Sequence, residues 1–235
     1  MTKQSFIAKC LRRGILPSVP ARWRLPFTLW LHLRFENPEP ELVYLARIVP
    51  RRGVAIDAGA NIGLFALSLV QCCERVYAFE INRETSRELK DCAHPRIEIL
   101  NVGLSNRAGE ATLYTPVRED GMVLTGWASL QSGNCPGVTQ HRETSVHLRT
   151  LDSFQFPECA FLKIDVEGHE VELIEGGLET LRRTRPVILV EVRAANAARV
   201  GALLEPLGYR RANLQELVGV PSDGENALFI PGPVK

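Results

Sequence analysis

The sequence predicts an α/β fold: a Rossmann-like, doubly wound, mostly parallel seven-stranded sheet with helices on both faces. Three observations predict it. Apolar strand-like runs alternate with helix-length segments along most of the chain. The runs VAID (54–57), RVYAFE (75–80) and PVILVEV (186–192) are almost continuously apolar, as strands covered on both faces are. Three runs close on an acid, Asp57, Glu80 and Asp165, at the strand ends where such sheets bind ligands.

Taken in order, residues 1–37 read as irregular, broken by Pro17, Pro20 and Pro26, and form a basic leader ahead of one domain over 38–235. PEPELVYLARIV reads as one helix opened by prolines and acids, with Leu42, Leu45, Ile48 and Val49 on one face. A βαβαβ unit follows: VAID, a helix from about Asn61 to Cys73, RVYAFE, a helix from about Arg83 to Cys92, and IEILNV (97–102). Then come a hairpin at EATLYTP, a polar Gly/Ser-rich stretch from Val117 to Arg142, and the strand SVHLRTL. The alternation resumes with FLKID (161–165), a helix from about His169 to Arg182, PVILVEV, a helix from about Ala195 to Leu207, YRRAN and NALFI (226–230).

At 235 residues, 45% hydrophobic and 23% charged, the chain has the make-up of one self-folding domain rather than a disordered one. The formal net charge of +1 is unevenly spread. Residues 1–52 hold ten Lys/Arg against three Asp/Glu, so the front is basic and the body acidic. An acidic body is a poor match for a nucleic-acid backbone. The six cysteines form neither a CxxC pair nor a zinc spacing, and no secretory leader is read, which implies reduced thiols and a cytoplasmic protein. The apolar stretch Leu25–Leu33 is too short to span a bilayer; it either lies on a membrane surface or, the preferred reading, packs on the domain.

The turn after the first strand, DAGANIG, carries Gly59 and Gly63, which permit a tight turn and a close ligand approach. A dinucleotide fingerprint would need GxGxxG; Ala60 and Asn61 follow Gly59, so the middle glycine that admits a pyrophosphate is missing. Glu80, about twenty residues on, stands where a carboxylate accepts hydrogen bonds from a ribose diol. Ribose without pyrophosphate suggests a nucleoside-type cofactor. A helix-capping turn after a buried strand would present some of the same residues.

The segments DAGANIGLFAL, VYAFEIN, KIDVEGHEVELIEGG and PVILVEV, in this order, resemble the FkbM-type methyltransferases over roughly residues 39–230. KIDVEGHE is the most specific part. The resemblance implies a class I methyltransferase fold with S-adenosyl-L-methionine as cofactor. It implies that Asp57, Gly59, Asn61 and Gly63 line the amino-acid end of the cofactor and that Glu80 takes the ribose hydroxyls. It puts the segment Asn101–Ser105, with Gly103 and Leu104, near the adenine. The family usually has proline after Glu80, where Ile81 stands here, and often a histidine or asparagine near Glu191, where this chain has Arg193.

Methyl transfer to oxygen requires a hydroxyl held in line and a group to take its proton. Asp165 closes its strand, and Glu167 and His169 follow on the turn that Gly168 permits. These three are the candidate catalytic residues, with Asp165 or His169 as general base. Acids at a helix start also stabilise its dipole, a competing role for Asp165 and Glu167. Lys163 lies inside an apolar strand and pairs with a carboxylate or reaches out past its end. Glu191 adds an acid at the same edge; a metal held by Asp165, Glu167 and Glu191 is disfavoured because no His or Asn completes a set, so no metal is expected. Trp127, in the long loop, could stack on a sugar face or simply pin the loop.

The expected function is O-methylation of a hydroxyl on a sugar, glycan or secondary metabolite, the acceptor class coming from the resemblance. The expected partner is a small-molecule or glycan acceptor, with no nucleic acid and no integral membrane segment. Competing readings are methylation of nitrogen or RNA, a non-catalytic cofactor-binding module, and a nicotinamide oxidoreductase, the last weakened by the missing glycine.

Overall fold

The computed structural model describes residues 10–11, 14–50, 52–133, 135–221 and 226–233. The part of the leader that precedes Cys10 lies outside them, but residues 21–35 are helical, where the sequence reading expected irregular chain. In this helix, α1 (Ala21–Phe35), Pro26 removes a single backbone donor, and packing offsets that loss: Leu25 and Leu31 are fully buried, and Leu25 joins the main core. The PELVYLARI segment forms two short helices, α2 (Pro40–Val43) and α3 (Leu45–Ile48), broken at Tyr44, and its expected apolar face is buried.

The main sheet has the strand order β3-β2-β1-β7-β8-β10-β9. Strands β1 (Val54–Ala58), β2 (Arg75–Phe79) and β3 (Ile97–Leu100) run parallel, linked by α4 (Leu64–Leu69) and α5 (Arg87–Cys92). The first crossover helix begins at Leu64 rather than Asn61, because the preceding turn carries Asn61 at φ 52° and Gly63 at φ 99°. Left-handed residues cannot belong to a right-handed helix.

The predicted local hairpin at EATLYTP is instead one long strand. Strand β5 (Gly109–Val117) pairs antiparallel with β6 (Gln140–Arg149), from Gly109 opposite Leu148 to Val117 opposite Gln140. With the two-residue β4 (Gly103–Leu104) they form a separate three-stranded sheet, so SVHLRTL never joins the main one. The chain between β5 and β6 folds back on β5 through backbone bonds between Tyr114 and Ser129.

Beyond it, β7 (Phe161–Ile164) sits on the other side of β1, and β8 (Val187–Glu191) pairs with it in parallel. The expected single helix from His169 to Arg182 is two, α6 (Glu170–Glu175) and α7 (Leu178–Thr184), interrupted at Gly176 and Gly177. A Cβ on Gly176 would overlap the Ser105 carbonyl oxygen, so the break lets this backbone abut the strand-three loop. Helix α8 (Ala194–Leu204) leads to β9 (Tyr209–Ala212), a short α9 (Leu214–Val218) that the sequence reading did not anticipate, and β10 (Asn226–Pro231), antiparallel to both neighbours.

Alternation along the strands sends side chains into two cores. Ala55, Ala78, Phe161 and Leu189 pack with α1, α3 and α4; Ile56, Phe79, Leu162 and Ile188 pack with α6, α7 and α8. Because β1 is flanked by β2 on one side and β7 on the other, the strand order reverses between β1 and β7. That reversal opens a crevice at their carboxyl ends.

Candidate functional site

Register brings the first two charged groups together. Asp57 in β1 lies directly opposite Lys163 in β7, both on the face shared with Ala55 and Phe161, and both are buried. The Lys163 ammonium donates to Asp165 Oδ2 at 3.0 Å and sits 4.6 Å from the centre of the Phe65 ring. Burial pulls the Lys163 pKa down, but the charges of Asp165 and Asp57 outweigh it and leave the ammonium favoured. Neither carboxylate oxygen of Asp57 has a hydrogen-bond partner of ordinary geometry. Burial pushes its pKa up to about 7, opposed by Lys163 and reinforced by Asp165 and Glu80.

Glu80 is held differently. Its Oε2 accepts from the Asn61 amide and its Oε1 from the Asn82 amide, both at 2.7 Å. The left-handed Asn61 aims that amide, and Gly59 and Ala60 donate to the Phe79 carbonyl just before it. Burial raises the Glu80 pKa, partly offset by the two amides. Two oxygens fixed this way each keep a lone pair for a ligand.

These residues line three neighbouring spaces that share lining residues. A cleft runs from Gly59, Asn61 and Glu80 past Gly103 and Leu104 to Asp165 and His169. Ile81, Val102 and Leu113 give it an apolar wall. An inner cavity is lined by Asp57, Lys163 and Asp165, with His32 from α1 and Glu39 at its border. A side cavity is bordered by Trp127, Asp165, Glu167, Glu191 and Arg193. Asp165 borders all three, and Glu167 borders the cleft and the side cavity.

Two predicted glycines serve the fold before any ligand. Gly59, at φ 83°, has no room for a Cβ because the Asp165 carbonyl oxygen occupies that position. Gly63 faces the Leu89 side chain and does not line the cleft. Both are needed for the turn that lays β1 against β7 and α4 against α5.

Glu167 has φ 50° and Gly168 φ 98°, a left-handed pair that reverses the chain after Asp165. The Glu167 carboxylate meets the Arg193 guanidinium at 3.4 Å. His169 is the residue before α6; its Nε2 lies 2.9 Å from the Ser105 hydroxyl and its Nδ1 3.6 Å from Glu172. Burial lowers the His169 pKa, while Glu172 and Glu170 act against that. Glu175, further along α6, accepts from the Asn106 side chain at 2.8 Å.

Several residues escaped the sequence reading. Glu170 is buried, accepting from the Gly168 amide at 2.6 Å and from Asn196 at 3.2 Å, so this acid binds the backbone of the turn. Ser129 donates to the Glu167 carbonyl at 2.7 Å and Gln131 to the Gly168 carbonyl at 2.9 Å, which ties the long loop to the same turn. Only the polar make-up of that loop hinted at this. Trp127 is 45% exposed, so it does not anchor the loop in the core. Glu191 has its pKa raised to about 7 by burial and then by Asp165, with Lys163 opposing. Among the described residues, no group of three or more His, Cys, Asp or Glu is arranged to hold a metal ion.

The Methyltransferase FkbM domain matches residues 57–211. A hexuronic acid methyltransferase, AglP of Haloferax volcanii, is 28% identical over 148 residues, covering 59% of this chain. The chain spans about half the length of that relative, 55%. The crystal structure of methyltransferase FkbM from Methylobacillus flagellatus KT superposes with a TM-score of 0.56 at 15% identity, covering 97% of this chain and 57% of the other, a likeness of fold. The match begins at Asp57 in β1 and contains Glu80, Asp165 and the whole turn into α6: the chain belongs to the FkbM methyltransferase family.

Proposed function

We propose that this methyltransferase uses S-adenosylmethionine and methylates a hydroxyl of a sugar, with a sugar acid as the favoured acceptor. The observation that carries the reading is Asp165, whose residue borders the cleft, the inner cavity and the side cavity at once. A transfer between two bound molecules needs a group at the boundary between their sites.

The residues present suit this cofactor. Glu80, with both oxygens pre-set by backbone amides, accepts from the two ribose hydroxyls. Gly103 and Leu104, with Ile81 and Val102, offer an apolar lining for adenine. The unpartnered oxygens of buried Asp57 accept from the ammonium of the amino-acid end, beside Gly59 and Asn61, while Gly63 shapes the turn. When bound, S-adenosylmethionine supplies a methyl group activated by its positively charged sulfur.

The acceptor enters the side cavity. Arg193 attracts a carboxylate on the sugar, and the exposed Trp127 offers a ring for its apolar face. Asp165, steadied by Lys163, takes the hydroxyl proton. His169 borders the cleft but not the side cavity and engages Ser105, which makes it the second choice of base; Glu167 orients Arg193. The relative's printed activity on a hexuronic acid supports the acceptor class.

The test is incubation with methyl-labelled cofactor and separate panels of hexuronic acids, neutral hexoses, small amines and RNA. Label on a sugar hydroxyl, lost in Asp165→Asn and retained in His169→Gln, is the expected result. Label confined to amines or RNA would overturn the reading.

A further inference from the structure

Helix α1 carries apolar side chains on two opposite faces, and the domain covers only one. Leu25, Thr28 and Leu31 are buried against it. Trp23 is 55% exposed, Trp30 50% and Leu33 44%, and half-buried Phe27 stacks on Trp30 with ring centres 5.7 Å apart. Trp23, Phe27 and Trp30 recur at helical spacing, so they form one stripe. A helix that is apolar on both faces calls for cover on both.

Charge identifies the cover. Residues 1–35 contain seven Lys/Arg and no Asp or Glu. Exposed Arg22 and Arg34 flank the aromatic stripe, Arg22 with its guanidinium 5.8 Å from the Trp23 ring. Tryptophan beside arginine is the pairing that seats a helix in the headgroup region of an anionic bilayer. At fifteen residues α1 is about 22 Å long, short of the roughly 30 Å of hydrocarbon a spanning helix must cross, so it would lie in the surface plane. A second copy is a poor occupant, because two such basic faces repel.

We propose that the outer face of α1 docks this methyltransferase on an anionic membrane surface, with Trp23, Phe27, Trp30 and Leu33 entering the interface and Arg22 and Arg34 meeting lipid phosphates. The same helix contributes His32 to the inner cavity, so docking would set the membrane beside the cofactor end of the site. The inference is independent of which acceptor the enzyme methylates.

Flotation of the full chain with phosphatidylcholine vesicles, with and without roughly one-third phosphatidylserine, tests it. The protein should float with the anionic vesicles at about 0.1 M salt and release as salt is raised. Arg22→Glu with Arg34→Glu should weaken binding by more than about 25-fold, since each lost basic residue is worth about fivefold. Trp23→Ser with Trp30→Ser should abolish it while circular dichroism and S-adenosylhomocysteine binding stay unchanged, as both rings are solvent-facing. Three outcomes would overturn the proposal: no flotation with anionic vesicles, flotation indifferent to both pairs of substitutions, or a self-associating form that the tryptophan substitutions dissolve in the absence of lipid.

Discussion

Asp57 and Lys163 stand opposite each other in register across β1 and β7, yet the Lys163 ammonium bonds Asp165, and neither Asp57 oxygen has a hydrogen-bond partner of ordinary geometry. A buried acid in that state is stable only if it is protonated or has a ligand to meet.

The pH dependence of stability follows from this. The folded-state pKa of Asp57 is raised from 3.8 to about 7, so its favourable contribution is complete below the unfolded value and is lost as pH rises through about 7. Asp57→Asn should therefore stabilise the ligand-free protein at pH 8 by up to roughly 4 kcal/mol, with little effect near pH 4. Urea denaturation across this range checks it, and the same variant should bind S-adenosylhomocysteine more weakly. A flat difference between wild type and variant would disprove the account.

Removing Lys163 acts in the opposite direction. Lys163→Met leaves two acids without their counter-charge, one of them fully buried, and should cost about 2–3 kcal/mol, below the usual range for a broken buried pair because Asp165 is partly exposed. Loss of stability should be larger at pH 8 than at pH 5, read by the denaturation midpoint.

Glu80→Gln replaces an acceptor of a backbone amide by a carboxamide that cannot satisfy both Asn61 and Asn82. Binding of S-adenosylhomocysteine, measured by calorimetry, should weaken by about 10- to 100-fold, the effect of one unsatisfied buried donor plus a lost ribose contact. Unchanged affinity would remove Glu80 from the proposed cofactor site.

In the proposed acceptor site, the titration of Glu191 should make acceptor choice pH-dependent. Its pKa of about 7 means that it becomes negative as pH rises through neutrality, in the same cavity as Arg193. The KM for a hexuronic acid should rise between pH 6 and 8, through repulsion of the acceptor carboxylate, while that for a neutral hexose stays level. Glu191→Gln should flatten the uronate curve.

Two glycines with nearly equal φ separate strain from packing. Gly121, at φ 81°, has open space around a Cβ, so Gly121→Ala should cost about 1 kcal/mol. Gly59, at φ 83°, would drive its Cβ into the Asp165 carbonyl, so Gly59→Ala should cost about 4 kcal/mol or more and broaden or abolish the folding transition. Thermal unfolding of the two variants makes the comparison.

The sheet was readable in the sequence because its strands are apolar on both faces and closed by acids, a pattern with period and length that few alternatives share. The strand-end acids, the turn glycines and the VEGH turn were all visible as residues, and the family could be identified from them. Which acid pairs with Lys163, and which is left bare, was not visible. Local pattern also misplaced helix starts and breaks. Asn61 and Gly63 delay α4 by adopting left-handed backbone, and Gly176 and Gly177 break the helix after His169 because another loop needs the space.

Sequence alone thus determined the strands of the main sheet and the chemical types gathered at their carboxyl ends, since burial pattern and side-chain chemistry are local properties. Tertiary structure alone decided that β5 pairs with a strand more than twenty residues away, that Glu170 binds the turn, and that α1 covers one core while baring its other face. Those outcomes depend on which surfaces meet, and contacts between distant segments are set by the summed packing of the whole chain.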